Sequence, residues 1–380
     1  MERNDVVHPA RETAAHCSVR RPDRDMALQL AMLRTAISRH AAELAPLLVT
    51  DAAAGRVASA QHGQCLLFKD KALEHRLASL KGQGEKLLEA ELKKALQLGA
   101  VRMLATPPSP DALDQLTAAF PHFGPVLELV RQRAALAEIT PGRVFSLPAI
   151  LLAGEPGVGK TAFCEALASA LKLPTRRVDM AAATAGFVLS GSHASWASGR
   201  PGAIWSLLQS PSAAGLLLLD EIDKACDGNY PPVGPLYALL ERSSAGHFMD
   251  ECIEIEVDAS NLMVLATCND ASKIESALRS RFTEFEIASP EPEQMVAIAR
   301  SVYRTLRQRA AWGSAFPEEL DLRAAEELSD CTPRQMAAIL ESAVAHAAAA
   351  GRKRIEPAGI RYALAMRQSP TTSRRRVGFI

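Results

Sequence analysis

A glycine-rich stretch in the middle of the chain reads Gly154-Glu155-Pro156-Gly157-Val158-Gly159-Lys160-Thr161. It fits the pattern G-x-x-x-x-G-K-[ST] at every fixed position. Glycines at this spacing let successive backbone N–H groups point at phosphate oxygens, and the helix that follows presents the positive end of its dipole to the same anion. Lys160 is expected to reach the β- and γ-phosphates of a nucleotide, and Thr161 to offer its hydroxyl to Mg²⁺. The stretch therefore predicts a phosphate site at the start of a helix.

The pattern on both sides of this stretch is typical of a parallel sheet with crossover helices. Short apolar runs alternate with helical patterns across the middle of the chain. The strands predicted in this way are Ala149–Ala153, Arg177–Met180, Ala213–Leu219, Leu262–Thr267 and Glu284–Ile287. The sequence thus predicts an α/β fold in which the glycine-rich stretch follows the first of these strands.

Polar side chains follow two of the predicted strands. Asp220 and Glu221 come directly after one, and Asn269 follows another. Because the carboxyl ends of parallel strands line the ligand crevice, these residues are expected near the phosphates. Asp220 is expected to hold Mg²⁺ through water, and Glu221 to polarise the water that attacks the γ-phosphate. Asn269 either helps to orient that water or caps the next turn, and the residues alone leave both roles open.

Composition excludes several classes of protein. The 380 residues hold 43 Lys+Arg and 43 Asp+Glu, so a general basic field that coats nucleic acid is not expected. No apolar run approaches the roughly 20 residues that span a bilayer, and the amino terminus lacks the apolar segment of a signal peptide. Seven scattered cysteines form no C-x-x-C pair and predict neither a zinc site nor a disulfide framework. The sequence predicts a cytoplasmic protein with reduced thiols and no membrane partner.

The outer parts of the chain divide into four segments. Residues 1–24 are polar and are expected to be disordered, and residues 369–380 form a basic tail. Residues 25–106 show leucines at helical spacing, with a long helical pattern from Leu66 to Met103 that glycines divide into a pair. This stripe fits either a bundle that buries its own leucines or a coiled-coil arm that meets a partner. Residues 290–368 are again helical.

The motifs, in this order, resemble those of AAA+ ATPases, and most specifically the ATPase module of Lon proteases. The resemblance covers about residues 107–366 and includes the run LLLLDEIDK at Leu216–Lys224. It implies a P-loop NTPase parallel sheet with flanking helices over residues 107–289. It also implies a small helical lid over residues 290–368, with the helical region 25–106 in front of the ATPase module. The implied cofactors are ATP and Mg²⁺, and the implied reaction is hydrolysis of the β–γ phosphoanhydride bond.

The resemblance also assigns roles to arginines. Arg281 resembles the arginine finger, with Arg279 as the reserve, and Arg334 resembles the sensor 2 arginine of the lid. A guanidinium near the γ-phosphate stabilises the charge that develops during phosphoryl transfer. If Arg281 acts on a neighbouring subunit, the active site is complete only in a ring, which the family implies to be a hexamer. The structural alternative for each arginine is a surface salt bridge.

Trp196 and Ala197 fall where Lon proteases have the loop that grips substrate in the central pore. A large, flat, apolar side chain can contact a polypeptide of any sequence, whereas Ala197 is smaller than the usual second residue. The alternative for Trp196 is a place in the core, which is the expectation for Trp205. The segment Phe248–Asp258 alternates apolar and acidic residues and predicts a hairpin, either a second pore loop or a plain edge hairpin.

These features predict an ATP-driven machine that remodels or unfolds a protein partner through a pore. The alternatives are a nucleotide-switched assembly module that does not thread substrate, and an ATPase associated with nucleic acid. Lon proteases continue from the lid into a proteolytic domain, and the sequence ends at Ile380, soon after the predicted lid. The expected activity is therefore ATP hydrolysis without proteolysis.

Overall fold

The computed structural model describes residues 63–80, 86–193, 199–225 and 231–368. The strands, numbered along the chain, are β1 Gln64–Leu66, β2 Val101–Met103, β3 Ile150–Gly154, β4 Thr175–Asp179, β5 Leu216–Asp220, β6 Phe248–Met249, β7 Glu256–Val257, β8 Met263–Cys268 and β9 Thr283–Ile287. Five of them form a parallel sheet in the order β4-β5-β8-β3-β9. The five strands predicted for the middle of the chain are confirmed, and so is the α/β fold class.

The helices run between and around these strands. In chain order they are α1 Asp70–Ser79, α2 Lys86–Leu98, α3 Pro110–Ala119, α4 Gly124–Ile139, α5 Lys160–Ala170, α6 Phe187–Ser190, α7 Ala203–Leu208, α8 Gly234–Leu239, α9 Arg242–Ala245, α10 Ser276–Arg279, α11 Pro292–Arg309, α12 Leu322–Glu326, α13 Pro333–Ala349 and α14 Pro357–Gln368. No helix in these ranges combines the length and the apolar character that a membrane crossing requires.

The five-stranded sheet is covered on both faces, which explains the continuous apolar runs of its inner strands β3, β5 and β8. Successive side chains of a strand point to opposite faces. On β3, Leu151 packs in one hydrophobic cluster together with Trp205 of α7. Its neighbour Leu152 packs in a second cluster with Phe163 of α5. Trp205 is fully buried, as the sequence predicted.

The secondary structure of residues 63–106 differs from the prediction at both ends of the segment. The helix pair α1 and α2 is present, but the pattern from Leu66 to Met103 is not helical throughout, because β1 and β2 pair in an antiparallel ribbon. Gly99, with φ +76°, occupies the left-handed region just after α2, so it ends the helix and lets the chain turn back into β2.

The leucine stripe of this helix pair is buried against the five-stranded sheet. Leu73, Leu88 and Leu92 belong to the same hydrophobic cluster as Leu151 of β3. These leucines are therefore buried, as the bundle interpretation predicts and the arm interpretation does not, but they pack with the sheet rather than in a separate bundle. The domain boundary expected near residue 106 stays a prediction, while hydrophobic packing is continuous across it.

The helical segment after residue 290 forms a core of its own from α11, α12, α13 and α14. Helix α13 begins at a capping box, in which the side chains of Thr332 and Gln335 each accept from the other's backbone N–H, with Pro333 at the first helical position. The disordered segment expected at 1–24 and the basic tail expected at 369–380 lie outside the described residues.

Candidate active site

The glycine-rich stretch forms a loop between β3 and α5, as its sequence predicts. Gly154 must lack a side chain, because a Cβ there would lie 2.4 Å from the carbonyl oxygen of Ile287. Gly159 has φ +101°, a left-handed conformation that favours glycine, and it directly precedes α5. The loop therefore delivers Lys160 and Thr161 in the first turn of α5, where the backbone N–H groups have no partner within the helix.

Lys160 links this loop to the end of β8. Its Nζ donates to the carbonyl oxygens of Gly154 at 2.7 Å and Glu155 at 2.9 Å, and to Oδ1 of Asn269 at 3.1 Å. Burial lowers the pKa of Lys160, although nearby carboxylates such as Asp220 act in the opposite direction. The structure thus brings the predicted lysine and the predicted asparagine into direct contact.

Asp220, at the end of β5, is the centre of a hydrogen-bond cluster. Its Oδ1 accepts from the hydroxyl of Thr161 at 2.9 Å and from that of Thr267 at 2.5 Å. Its Oδ2 accepts from the guanidinium of Arg177 at 2.5 Å. Sequence reasoning placed Thr161 beside Asp220 but missed Thr267 and Arg177.

The residues at this point fit a magnesium ion bound together with a nucleotide. Mg²⁺ prefers oxygen ligands and is usually held by one or two carboxylates together with substrate phosphates and water. The Thr161 hydroxyl and the Asp220 carboxylate face each other directly after the phosphate loop. Their oxygens therefore supply the donor set that Mg²⁺ needs beside a phosphate.

Glu221, directly after Asp220, has an unusual backbone conformation. Its φ of +55° is in the left-handed region, which is uncommon for a residue with a side chain and often marks a functional position. Its backbone N–H donates to the hydroxyl of Thr267 at 3.1 Å, which fixes the main chain at this point. Its carboxylate accepts from Lys224 at 2.8 Å, so the predicted catalytic carboxylate is ion-paired within the chain.

Asp223 ties the same segment to the end of β8. Its Oδ2 accepts from the backbone N–H groups of Asn269 and Asp270, each at 3.2 Å. Together with the bonds of Thr267, this contact holds the ends of β5 and β8 in one arrangement. The signal in the sequence was the run LLLLDEIDK, in which Asp223 follows the acidic pair by two positions.

The two candidate finger arginines have different surroundings. Arg279 forms a two-point ion pair with Glu284 of β9, at 2.7 and 2.8 Å. Arg281 donates to the carbonyl oxygen of Ala277 at 2.6 Å, and its guanidinium lies 5.1 Å from the ring centre of Tyr237. Within the described ranges Arg281 forms no ion pair, and its contacts do not reach the phosphate loop.

Tyr237 was not foreseen as a site residue. It lies on α8, and its hydroxyl donates to Oε2 of Glu275 at 2.5 Å. The ring is thereby fixed beneath the guanidinium of Arg281, an arrangement that favours a cation on the ring face. The sequence contains no local signal for this contact, because the two residues are 44 positions apart and meet only through the fold.

Arg334 lies beside a cleft between the phosphate loop and the lid. The cleft has a volume of about 190 Å³ and is lined by the loop residues Glu155–Val158, by Ser289, Pro290, Pro292 and Met295, and by the lid residues Ser329–Pro333. Arg334 follows this lining directly and is exposed. Among the described residues no side chain pairs with it, so the structure places it near the loop without fixing its guanidinium.

His122 supports the phosphate loop from the opposite side. It belongs to a 3₁₀ turn before α4, and its Nε2 lies 2.9 Å from the carbonyl oxygen of Val158. Because a carbonyl can only accept, the ring proton is on Nε2. Burial lowers the pKa of His122, so the neutral ring is favoured. None of the motifs in the sequence includes His122, so sequence reasoning assigned it no role.

Trp196 and Ala197 lie outside the described residues. On their two sides, Ser192 and Arg200 form a short antiparallel bridge. The hairpin predicted over Phe248–Asp258 is confirmed as β6 and β7, which pair in antiparallel fashion. Whether it contributes a second pore loop stays a prediction.

A buried carboxylate joins this hairpin to the chain after the bridge. Asp250 accepts backbone N–H bonds from Gly202 at 2.8 Å, Cys252 at 2.9 Å and Ile253 at 3.1 Å. Burial raises the pKa of Asp250 to about 6, although these hydrogen bonds favour the charged form. Asp250 therefore holds the hairpin and Gly202 together through main-chain contacts.

Comparison with known proteins gives matches over the same part of the chain. Residues 150–289 match the family "ATPase family associated with various cellular activities (AAA)". Lon protease 4 of Sorangium cellulosum is 30% identical over 165 residues, which are 42% of this chain and 21% of that protein. The Lon protease of Flavobacterium johnsoniae is 31% identical over 183 residues, which are 47% of this chain and 22% of that protein. The chain thus spans about a fifth of the length of these relatives.

Among solved structures, a RuvB mutant of Thermotoga maritima matches with a TM-score of 0.42 and 16% identity. The match covers 63% of this chain and 69% of that one.

Proposed function

We propose that the chain binds ATP with Mg²⁺ and hydrolyses the β–γ phosphoanhydride bond, because residues 150–289 match the AAA ATPase family and part of the chain is similar to Lon proteases. One observation supports this most strongly. Lys160, Thr161, Asp220 and Asn269 come from three separate parts of the chain and are joined by direct hydrogen bonds at one edge of the sheet. Open parallel sheets bind their ligands at these carboxyl ends of the strands.

Each of these residues has a distinct role in the proposed reaction. The backbone N–H groups of the loop and the ammonium of Lys160 bind the phosphates. Thr161 and Asp220 hold Mg²⁺, which neutralises charge on the phosphates when bound. Glu221 orients the attacking water and accepts its proton, and Asn269 assists in placing that water.

Glu221 must leave Lys224 before it can act on water. Nζ of Lys224 lies 2.8 Å from Oε2 of Glu221, so the ammonium group and a water molecule compete for this carboxylate. The same observation favours a second candidate function, a switch that binds ATP and changes its assembly without turnover. The two functions differ only in whether Glu221 becomes available.

Two arginines complete the proposed site from outside the loop. We assign Arg281 to the γ-phosphate of a neighbouring subunit, because it has no ion pair among the described residues while Arg279 is bound by Glu284. This assignment requires a ring, proposed as a hexamer. Arg334 is assigned to the γ-phosphate that its own subunit binds, because the lid borders the cleft beside the loop of the same chain.

We further propose that turnover remodels a protein partner in the cytoplasm, with Trp196 and Ala197 contacting that partner in the pore. The support is the position of these two residues between the phosphate loop and Asp220. Asp250 adds a physical connection, since it ties the chain after this segment to the neighbouring hairpin. A movement of the chain at Gly202 is then transmitted to the hairpin of β6 and β7.

The proposed function is tested with the full chain. Phosphate release from ATP is measured with Mg²⁺ for wild type, Lys160→Ala and Glu221→Gln, together with binding of a fluorescent ATP analogue. Wild type is expected to turn over, Lys160→Ala to lose binding, and Glu221→Gln to bind ATP without hydrolysis. Lys172→Ala, a change at an exposed lysine just after α5, is the matched control and is expected to behave as wild type.

The same assay separates the alternatives. A wild type that binds ATP and assembles without turnover would support the switch. Absence of nucleotide binding would refute both. Threading is tested separately with Trp196→Ala, which is expected to retain ATPase activity and to lose unfolding of a model substrate.

A further inference from the structure

Arg177 contacts the buried carboxylate at the centre of the proposed site. Asp220 is 5% exposed, and its Oδ1 is shared by two hydroxyls while its Oδ2 is bound by Arg177 at 2.5 Å. Arg177 comes from β4, the edge strand next to β5, and its other terminal nitrogen lies 3.7 Å from Glu165 of α5. One guanidinium thus joins the edge strand β4, the neighbouring strand β5 and the helix that begins with Lys160.

The hydroxyls alone do not fix the plane of the Asp220 carboxylate. A hydroxyl hydrogen rotates freely, so Thr161 and Thr267 can donate to either oxygen of a turning carboxylate. A guanidinium is planar and fixed in its geometry, and its bond to a carboxylate is charge-assisted. With Arg177 on Oδ2, Oδ1 remains directed at Thr161.

We propose that Arg177 is a positioning residue for the nucleotide-bound Mg²⁺, which it affects through the orientation of Asp220. This inference rests on the proposed ATPase function and concerns the same site. It assigns to the edge strand β4 a role in metal affinity that neither the motifs nor the family comparisons assign.

Removal of Arg177 has two opposing effects on Mg²⁺. Loss of a nearby positive charge favours the cation, while loss of the bond to Asp220 disorders a metal ligand. The Arg177 side chain is 52% exposed, so its long-range charge is screened by water and salt. The bond at 2.5 Å to a buried carboxylate is direct, and Glu165 already offsets part of the charge. Disorder of Asp220 is therefore expected to dominate.

The experiment measures binding of a fluorescent ADP analogue to the full chain, first in EDTA and then in a Mg²⁺ titration. For Arg177→Met, the half-saturating Mg²⁺ concentration is expected to rise about tenfold, as is typical when a partner of a metal ligand is removed. The Kd for the nucleotide in EDTA is expected to stay within about twofold of wild type, because the phosphate contacts of Lys160 and the loop are untouched.

Two matched variants separate positioning from charge. Arg176→Met removes the same charge from the adjacent exposed position of β4 and is expected to leave the Mg²⁺ titration unchanged. Glu165→Gln removes the second partner of Arg177 and is also expected to have little effect. Arg177→Lys keeps the charge with a single donor group, and its half-saturating Mg²⁺ concentration is expected to lie between those of wild type and Arg177→Met.

Each outcome decides the proposal. An Arg177→Met protein with unchanged or tighter Mg²⁺ binding overturns it, as does an equal shift in Arg176→Met. If Arg177→Met does not fold by circular dichroism, Arg177→Lys decides, and wild-type Mg²⁺ affinity in that variant overturns the proposal. A wild type that binds nucleotide but shows no response to Mg²⁺ refutes this inference and the metal part of the proposed function. A wild type that binds no nucleotide refutes the proposed function itself.

Discussion

The residues at the carboxyl ends of β3, β5 and β8, where the phosphates are proposed to bind, are held very differently from the arginines around them. At the edge, Asp220 has three side-chain donors, and Lys160 has three acceptors. By contrast, Arg281 has one carbonyl and one aromatic ring, and Arg334 has no partner among the described residues. One set of groups is fixed by its own chain, and the other is left accessible.

This difference follows from where each group is expected to act. Groups that bind phosphate and metal gain from pre-organisation, because they lose no freedom when the ligand arrives. Groups that reach the γ-phosphate from the lid or from another subunit must move, and a strong ion pair within the chain would oppose that movement. The contrast between Arg279, which is paired, and Arg281, which is not, illustrates the point within three residues of sequence.

The largest expected effect comes from Arg281→Ala. Turnover is expected to fall by about a thousandfold, the usual size of an arginine-finger effect, with nucleotide affinity nearly unchanged. Phosphate release and binding of a fluorescent nucleotide measure the two quantities. Arg279→Ala is the control, since loss of its exposed ion pair with Glu284 should change stability and activity little. Equal losses in both variants would contradict the assignment of Arg281.

Thr267→Val tests the hydrogen-bond cluster around Asp220. The variant keeps the shape of the side chain but removes a hydroxyl that donates to Asp220 and accepts from the backbone of Glu221. A buried polar group left without its partner costs about 1–3 kcal/mol, so stability should fall by this amount in urea denaturation. Turnover should fall about tenfold or more, because 1.4 kcal/mol corresponds to a factor of ten.

Thr267→Ser provides the matched control for that change. It keeps the hydroxyl and removes only a methyl group, so turnover close to wild type is expected. If Thr267→Ser and Thr267→Val lose activity equally, packing rather than hydrogen bonding is the role of this side chain.

Tyr237→Leu removes the ring that supports Arg281 and is expected to lower turnover by a smaller factor. A cation–π contact at a partly exposed site contributes about 1 kcal/mol, so turnover should fall by a factor of about five. Tyr237→Phe keeps the ring but loses the bond to Glu275 and should retain more activity. Wild-type rates in Tyr237→Leu would show that Arg281 needs no support from α8.

Asp250 supplies the smallest expected effect and the one that depends on pH. Its folded-state pKa of about 6 lies above the ordinary value of 3.8, so the folded state favours the protonated form. The resulting stability is fully present below the unfolded-state pKa and is lost as the pH rises through 6. Urea denaturation should therefore show wild type gaining about 1 kcal/mol relative to Asp250→Asn between pH 7 and pH 5. A constant difference between the two proteins would contradict this.

Sequence patterns predicted the parts of the molecule whose signals are local. The glycine-rich loop, the strands β3, β5 and β8, and the positions of Asp220 and Asn269 at their ends all follow from contiguous residues. The helix pair α1 and α2 was expected from its leucine spacing.

Contacts between distant segments were not predictable in the same way. Arg177 meets Asp220 only because β4 lies next to β5 in parallel register, and an arginine on an edge strand has no local signature. The ribbon of β1 and β2 was missed because each strand has three residues, too few for a period to be recognised. The roles of Trp196 and Ala197 stay predictions, as these residues lie outside the described ranges.

The shared packing of α1 and α2 with the sheet has a practical consequence for protein engineering. A recombinant fragment or chimeric fusion that starts at residue 107 would strip these helices from Leu151 and its neighbours and leave the apolar surface beneath them open to water. Such a surface promotes aggregation. A cut placed before Gly63 keeps both helices and the bonds that Leu104 and Phe145 make to Gly63 and Ala105. The smallest portion that folds cooperatively is therefore expected to be longer than the ATPase motifs alone indicate.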